Sequence, residues 1–399
     1  MGATISTLGN VMKDLYKGPV REQLNNEVWV LQNLVRGTGV ELVGTQAVIP
    51  LHTGRTAGIG SRAENGTLPT AGNQVYNRAV FDLKYHYGVI EVTGPSMAKT
   101  KNDAGAFLKA LESEMEGVLV DLKLDLARQF YGDGTARIAA CGVTTASTTV
   151  VMGSNEMILK GFIYPGMVIT IGTSANPDSV TAGARTVTSV DETAGTFVIS
   201  GAVVTTAVTD FVFRSGSAAA GVSFEMDGLD KLVSTAATTV GGINETGNSF
   251  WAPQRVTGTS LTLNKLQEMD NRVRIKGGKS SIKLTSLGIQ NQYFNLLQTQ
   301  VRYTDPMNLK SGYQVLEHNG LPVFADHLAP FGKIYGLDQS RMFIVDNEDW
   351  HWLDEDGDVL KWVVGKDAWT AAITRYMNLA TDARNVHSVF SGITDNGVT

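Results

Sequence analysis

The residues that come nearest to a reactive site by type and spacing are Gly277-Gly278-Lys279-Ser280, which match the end of a phosphate-binding loop. In that motif glycine backbone cradles phosphates, the lysine reaches the outer ones and the hydroxyl holds a metal ion. The first glycine of the motif would fall at Val273, inside an apolar helical face, so the full loop is not present. Gly37-Thr38-Gly39 and Gly58-Ile59-Gly60 lack the helix and spacing of a dinucleotide fingerprint, and no Gly-x-Ser-x-Gly elbow occurs. The six histidines (His52, His86, His318, His327, His351, His387) form no i, i+4 pair and have no cysteine nearby, so they read as structural. Asp354 to Asp358 offers hard oxygens but lacks the spacing and distal Glu of a calcium loop, which leaves a solvated Asp-Gly turn. Trp350 and Trp352 share a strand face as core or interface anchors. These residues assign no catalytic, cofactor or metal site, so function is expected to reside in surfaces.

Composition points the same way. The chain has 399 residues, 43% hydrophobic and 18% charged, which describes an ordinary soluble globular protein of two or three domains. A formal charge of −6 argues against tight sequence-independent binding to nucleic acid, which runs on clustered Lys and Arg. The lone Cys141 excludes an intrachain disulfide and fits a buried thiol in a reducing compartment. The N-terminus lacks a secretory pattern, and no stretch approaches the roughly 20 apolar residues of a membrane span, so synthesis in the cytoplasm is expected. Gly2 and Ser6 superficially fit a myristoylation pattern, but no basic patch supplies a second anchor.

The elements that must position any surface have four different grammars. Leu24, Val28, Leu31 and Leu34 repeat at helical spacing in a polar arm that closes at Gly37-Thr38-Gly39. An excursion over 47–93 has strand-like limbs, Ala47 to Leu51 outgoing and Val80 to Tyr85 then Val89 to Val92 returning, around a long glycine-rich polar stretch. An isolated ribbon is marginal in water, and this one has no evident partner in its own chain, so the expectation is that it lies on a neighbouring copy. A helix follows over about 104–131, with Leu108, Leu111, Met115, Val118, Leu122, Leu126 and Phe130 in one stripe. At 1.5 Å per residue it makes a rod of about 42 Å. Gly117 inside it costs about 1 kcal/mol relative to Ala and is read as a point of close approach for a neighbouring element.

From 140 to 222 the chain turns to Thr, Val, Ser, Ala and Gly. Strand-like runs at 167–171, 185–190, 196–199 and 210–213 predict an inserted barrel or sandwich. Strands and helices then alternate. Leu263, Leu266, Met269 and Val273 make one helix, 281–285 a strand, and Leu287 to Leu297 a second helix. His318-Asn319-Gly320 marks a hairpin and Asp354 to Asp358 a second one, while 371–393 is expected to return beside the long helix.

This order of parts, together with Ser281 to Leu297 and Leu316-Glu317-His318-Asn319-Gly320-Leu321-Pro322-Val323-Phe324-Ala325-Asp326, resembles the tailed-bacteriophage major capsid proteins of the Hong Kong 97 type. The resemblance covers most of the chain apart from the inserted β module. It implies an α+β fold with an N-terminal arm (1–45), an extended loop (46–93), a spine-helix peripheral domain (94–139 and 361–399), an inserted all-β domain (140–222) and an axial domain (223–360). It further implies a structural protein, not an enzyme, that assembles through hexamers and pentamers into an icosahedral head around double-stranded DNA, made in the host bacterial cytoplasm and resident in the virion. A portal and a separate scaffolding protein are implied partners. A decoration protein is allowed, and no cofactor, membrane or sequence-specific DNA contact is implied. Ile49, Leu51, Arg55, Arg62, Arg78, Phe81, Val28 and Leu31 are the candidates for inter-subunit contact. Some members of the family crosslink through a lysine in the extended loop, whereas residues 51–83 contain no lysine, so no such bond is expected. The alternatives are an encapsulin-type compartment shell, a tail or adhesin component, and an intracellular hydrolase in which the loop is a lid.

Overall fold

The computed structural model describes residues 35–36, 41–95, 104–234, 239–299, 307–308, 314–354 and 359–395. The chain divides into two compact units. The first contains residues 84–128 and 346–377; the second contains 34–83, 129–345 and 378–399. The predicted helix runs Ala104–Tyr131.

In the first unit Lys84–Thr93 pairs antiparallel with the N-terminal part of Ala368–Thr381, from Lys84 opposite Met377 to Thr93 opposite Ala368. Alternation does the rest. His86, Gly88, Ile90 and Val92 point inward, while Tyr85, Tyr87 and Val89 stand exposed on the other face. The close approach expected at Gly117 occurs instead at Gly88. A Cβ there would lie 2.6 Å from the side chains of Val118 and Leu122, whereas one at Gly117 would meet nothing within 4 Å. The glycine that lets helix and strand touch is therefore on the strand. Residues 84–93 thus leave the excursion and belong to this sheet, because their inward face finds the helix.

The second unit is built on a seven-stranded sheet in the order Gln254–Thr257, Ser388–Ser391, Lys333–Leu337, Ile282–Thr285, Leu321–Ala325, Gln314–His318, Met307–Asn308. Ser388–Ser391 lies inside this sheet, parallel to one neighbour and antiparallel to the other, so the terminal segment is split instead of remaining wholly beside the long helix. Helices Leu263–Ile275 and Leu287–Thr299 supply Leu266, Met269, Ile289 and Tyr293 to a core shared with Val256, Val323, Ile334 and Phe390. Thr262 caps the first helix, its side chain accepting from the Lys265 N–H. The predicted hairpin at His318 is present: Asn319 and Gly320 both have positive φ, as a two-residue turn matched to strand twist requires. The second predicted hairpin falls on residues 355–358, outside the described residues.

The inserted module is a barrel. Its strands follow the order Arg137–Ala140, Phe211–Arg214, Val168–Gly172, Arg185–Asp191, Thr196–Ile199, Thr149–Val151. The ring closes where Cys141 bridges Met152, with Gly142 donating to the Val151 carbonyl and Gly153 to that of Ala140. Ile138, Val150, Ile169, Ile171, Val187, Phe197, Ile199 and Val212 fill it. The Cys141 thiol is buried, and burial, helped by the Asp210 charge, pushes it up to about 12, which leaves it inert.

Candidate assembly surfaces

The excursion resolves into a ribbon, Gln46–Gly54 paired antiparallel with Val75–Asp82, carrying a tip over residues 55–74. The root of this ribbon is held by its own chain, contrary to expectation. Ala47 pairs with Phe81 and Ile49 with Ala79, so these four share one face, and all four are buried. The Val80 N–H donates to the Gly241 carbonyl at 3.0 Å, and Leu83 N–H to that of Thr45. Asn378 clamps the base, its Nδ2 donating to the Asp82 carbonyl at 2.7 Å while its Oδ1 accepts from the Asp227 and Leu379 N–H groups. Ile49 and Phe81 are thus fixed inside the subunit and are not presented to a neighbour.

The tip differs. Ile59 is 77% and Leu68 81% exposed, large apolar residues with nothing on them. Local bonds give the tip its shape: Arg62 Nε donates to the Thr67 carbonyl at 2.9 Å, Gly66 N–H to that of Ala63, and Gly58 N–H to Thr56 Oγ1. Arg55, Arg62 and Arg78 are exposed and Leu51 is partly so. Val28 and Leu31 lie outside the described residues. Ile59 and Leu68 were legible as apolar residues in a polar, glycine-rich stretch, yet no period marked them.

The first unit offers a second exposed surface. Tyr85 and Tyr87 stand edge-on to Tyr376, with ring centroids 5.1 and 6.2 Å apart, beside exposed Val89. Trp350 lies under the Arg375 guanidinium, 5.8 Å from its ring, and Trp362 meets Trp369 edge-to-face.

Titratable groups cluster in the second unit, where they do structural work. Asp270, on the buried face of its helix, takes Lys283 Nζ at 2.7 and 2.8 Å, His318 Nδ1 at 3.1 Å and Asn319 Nδ2 at 2.9 Å. Burial acting alone would raise this carboxyl, but hydrogen bonds from His318 and Lys283 and the lysine charge hold it at about 2. Burial pushes Lys283 down, opposed by Asp270. Lys283 is 0% exposed, so its ammonium is out of reach of solvent. Sequence reading missed this pair, because Asp270 sits beside the apolar stripe and Lys283 occupies a polar slot in a strand buried on both faces. His387 accepts from the Asp338 N–H, lies 3.1 Å from Thr381 Oγ1, and is pushed down to about 4 by burial. Glu245 joins Arg255, in a two-pronged pair at 2.8 Å, to the buried Arg384. Among the described residues no three His, Cys, Asp or Glu side chains are placed to hold a metal ion, and no helix is long and apolar enough to cross a membrane.

Gly277-Gly278-Lys279-Ser280 follows a helix and precedes a strand, the reverse of a phosphate-binding loop. Gly278 donates to the Val273 carbonyl and Gly277, at φ +79°, to that of Arg274, which is a helix-terminating motif.

No protein-family model and no curated protein matches the sequence. Solved structures do match over the whole chain. The cyanophage A-1(L) capsid subunit has a TM-score of 0.56 at 15% identity, covering 97% of this chain and 99% of that one. The capsid of a native GTA particle has a TM-score of 0.52 at 8% identity, with 99% and 100% covered. The SrpI encapsulin complex of Synechococcus elongatus PCC 7942 has a TM-score of 0.50 at 10% identity, with 100% and 98% covered. The chain therefore has the α+β capsid-protein fold of the Hong Kong 97 type, with a barrel inserted in it.

Proposed function

We propose that this chain is a major capsid protein that self-assembles into the icosahedral head of a tailed phage around double-stranded DNA. The observation that carries this reading is the end-to-end likeness to a cyanophage capsid subunit, combined with a ribbon whose root is buried and whose tip is bare. A surface of one kind meeting a surface of another makes a head-to-tail contact, and such contacts close into rings when the rotation permits. Ile59 and Leu68 join Leu51, Arg55, Arg62 and Arg78 as the contacts we assign to the ribbon. Many modest contacts of this kind add through avidity. The formal charge of −6 suits an inner wall that does not grip DNA. A portal and a separate scaffolding protein complete the set of partners, and no enzymatic role is proposed.

The equally complete likeness to an encapsulin supports a second reading, a compartment shell with a protein cargo. The two differ in their contents. Electron microscopy of the purified chain, with and without a scaffolding protein, is expected to show closed shells or rings of five and six. Nuclease-protected DNA inside shells from infected cells favours the phage head, a protein cargo the compartment, and a monodisperse monomer under every condition overturns both. With no lysine between residues 51 and 83, shells boiled in detergent should run as monomer; a ladder would contradict this.

A further inference from the structure

A hairpin covers the ribbon root, and it is anchored by charge at a distance from that contact. Thr239–Val240 pairs with Ile243–Asn244 around Gly241-Gly242, both at positive φ, the two-residue turn that glycine accepts most readily. This turn lies on the buried face of the ribbon. A Cβ on Gly241 would stand 3.1 Å from that of Ala79 and 3.3 Å from the Phe81 ring, and the Gly241 carbonyl takes the Val80 N–H. Trp251, 1% exposed, steadies the hairpin, its Nε1 donating to the Val240 carbonyl at 2.9 Å.

Glu245 follows the hairpin directly. Its two oxygens accept from Arg255 Nη1 and Nη2 at 2.8 Å each, and Arg384 Nη1 stands 3.5 Å away. Both arginines are held in turn at the end of helix Leu229–Val233: Arg255 donates to the Ser234 carbonyl at 2.9 and 3.1 Å, and Arg384 to that of Leu232 at 2.7 Å. Arg384 is 0% exposed, and burial pushes its guanidinium down to about 10, opposed by the Glu245 charge and helped by that of Arg255. Without the carboxylate two like charges would be left together, one of them buried.

We propose that Glu245 is a positioning residue for the ribbon: through the Gly241-Gly242 turn it sets the angle at which the ribbon leaves the second unit. The turn offers Ala79 and Phe81 a bearing made of backbone, and the carboxylate decides where that bearing stands. Held, the ribbon has one exit angle; released, it pivots at Val80. A tip kept at one angle has less ordering left to do when it meets a neighbour, and such preorganisation raises affinity without a new contact. That consequence rests on the shell reading above, whereas the clip itself does not.

Hydrogen exchange of the full-length subunit, followed by mass spectrometry, tests the clip. In Glu245→Gln, exchange over 75–83 should quicken about tenfold or more, the worth of a hydrogen bond to a charged group, while 282–285 and the barrel stay as in the parent. Arg255→Gln leaves the buried Arg384 its carboxylate and should show the same pattern even if Glu245→Gln does not fold. No change over 75–83, or equal quickening throughout the unit, would overturn the proposal. Spin labels on Arg78→Cys and Asn271→Cys read the angle itself, since both sites are exposed and Cys141 is buried and inert. The distance between them should form one narrow population in the parent and a broad one in either variant. A narrow population in a variant whose root exchange has quickened would leave Glu245 a merely structural role and sink the idea. Electron microscopy separates this inference from the shell reading. A parent that shows both effects on substitution but never forms shells upholds the clip alone, and one that forms shells while neither effect is seen upholds the shell alone.

Discussion

Two β excursions leave the second unit, and they solve the same problem in opposite ways. The barrel between Arg137 and Arg214 pairs its strands in a ring and fills the interior with its own side chains. Closure removes free edges, and the core makes the module self-sufficient. The ribbon over 46–82 has two long strands with a bare tip, and it is buried only at the root. A segment with no core is steadied only by what it touches. The barrel is therefore built to be stable alone, and the ribbon to be completed by something else.

That contrast is open to breakage at several scales. The largest effect belongs to the barrel core: Phe197→Ala, at a fully buried site, should cost about 3–5 kcal/mol in urea denaturation, with loss confined to barrel amides in hydrogen exchange. A barrel indifferent to this change would not be self-supporting. Acid should act on the body around His387 and spare the barrel, which contains no histidine. Burial pushes the His387 imidazole from 6.5 to about 4, with the Arg384 charge adding to it and the Asp338 charge opposing it. Between those values the unfolded chain binds a proton that the folded one refuses. The His387 contribution is thus complete above pH 6.5, falls by up to about 3 kcal/mol as pH drops to 4, and levels below, where Asp270, held at about 2, begins to lose its own. His387→Gln should flatten that slope; an unchanged slope would assign it elsewhere.

The ribbon root comes next. Asn378→Leu removes a donor and two acceptances from buried backbone, and should cost about 1–3 kcal/mol and speed exchange at Val80 and Leu83. The smallest effect on the subunit is at the tip, where Leu68→Ala should change stability by less than about 0.5 kcal/mol because the side chain is already in water. The same variant should nevertheless assemble poorly under light scattering. Equal losses of subunit stability at tip and root would erase the distinction between them.

Much of this was readable from residue order. Four of the barrel's six strands, the long helix and the Asn319-Gly320 turn follow from local periodicity and turn chemistry, while Arg137–Ala140 and Thr149–Val151 were not read. The ribbon was read as two limbs, but its returning limb was carried too far, through 84–92, and it was wrongly read as unsupported. Its small-large alternation of Ala47, Ile49, Ala79 and Phe81 does mark one buried face; what covers that face, the segment at Gly241, is more than 150 residues away in sequence. The bare apolar tip was missed because Ile59 and Leu68 are isolated residues without a period.

The sequence by itself determined the three longer helices, several of the strands and the Asn319-Gly320 turn, that its cysteine forms no intrachain disulfide, and that no familiar catalytic motif is complete. Tertiary structure alone decided that Lys283 meets Asp270 inside the sheet, that Gly88 and not Gly117 is the point of contact, and that Ser388–Ser391 joins the seven-stranded sheet. The reason is range. Backbone preference and hydrophobic period act over a few residues, whereas the burial of a charge or the partner of a strand edge depends on segments that the chain brings together only when it folds.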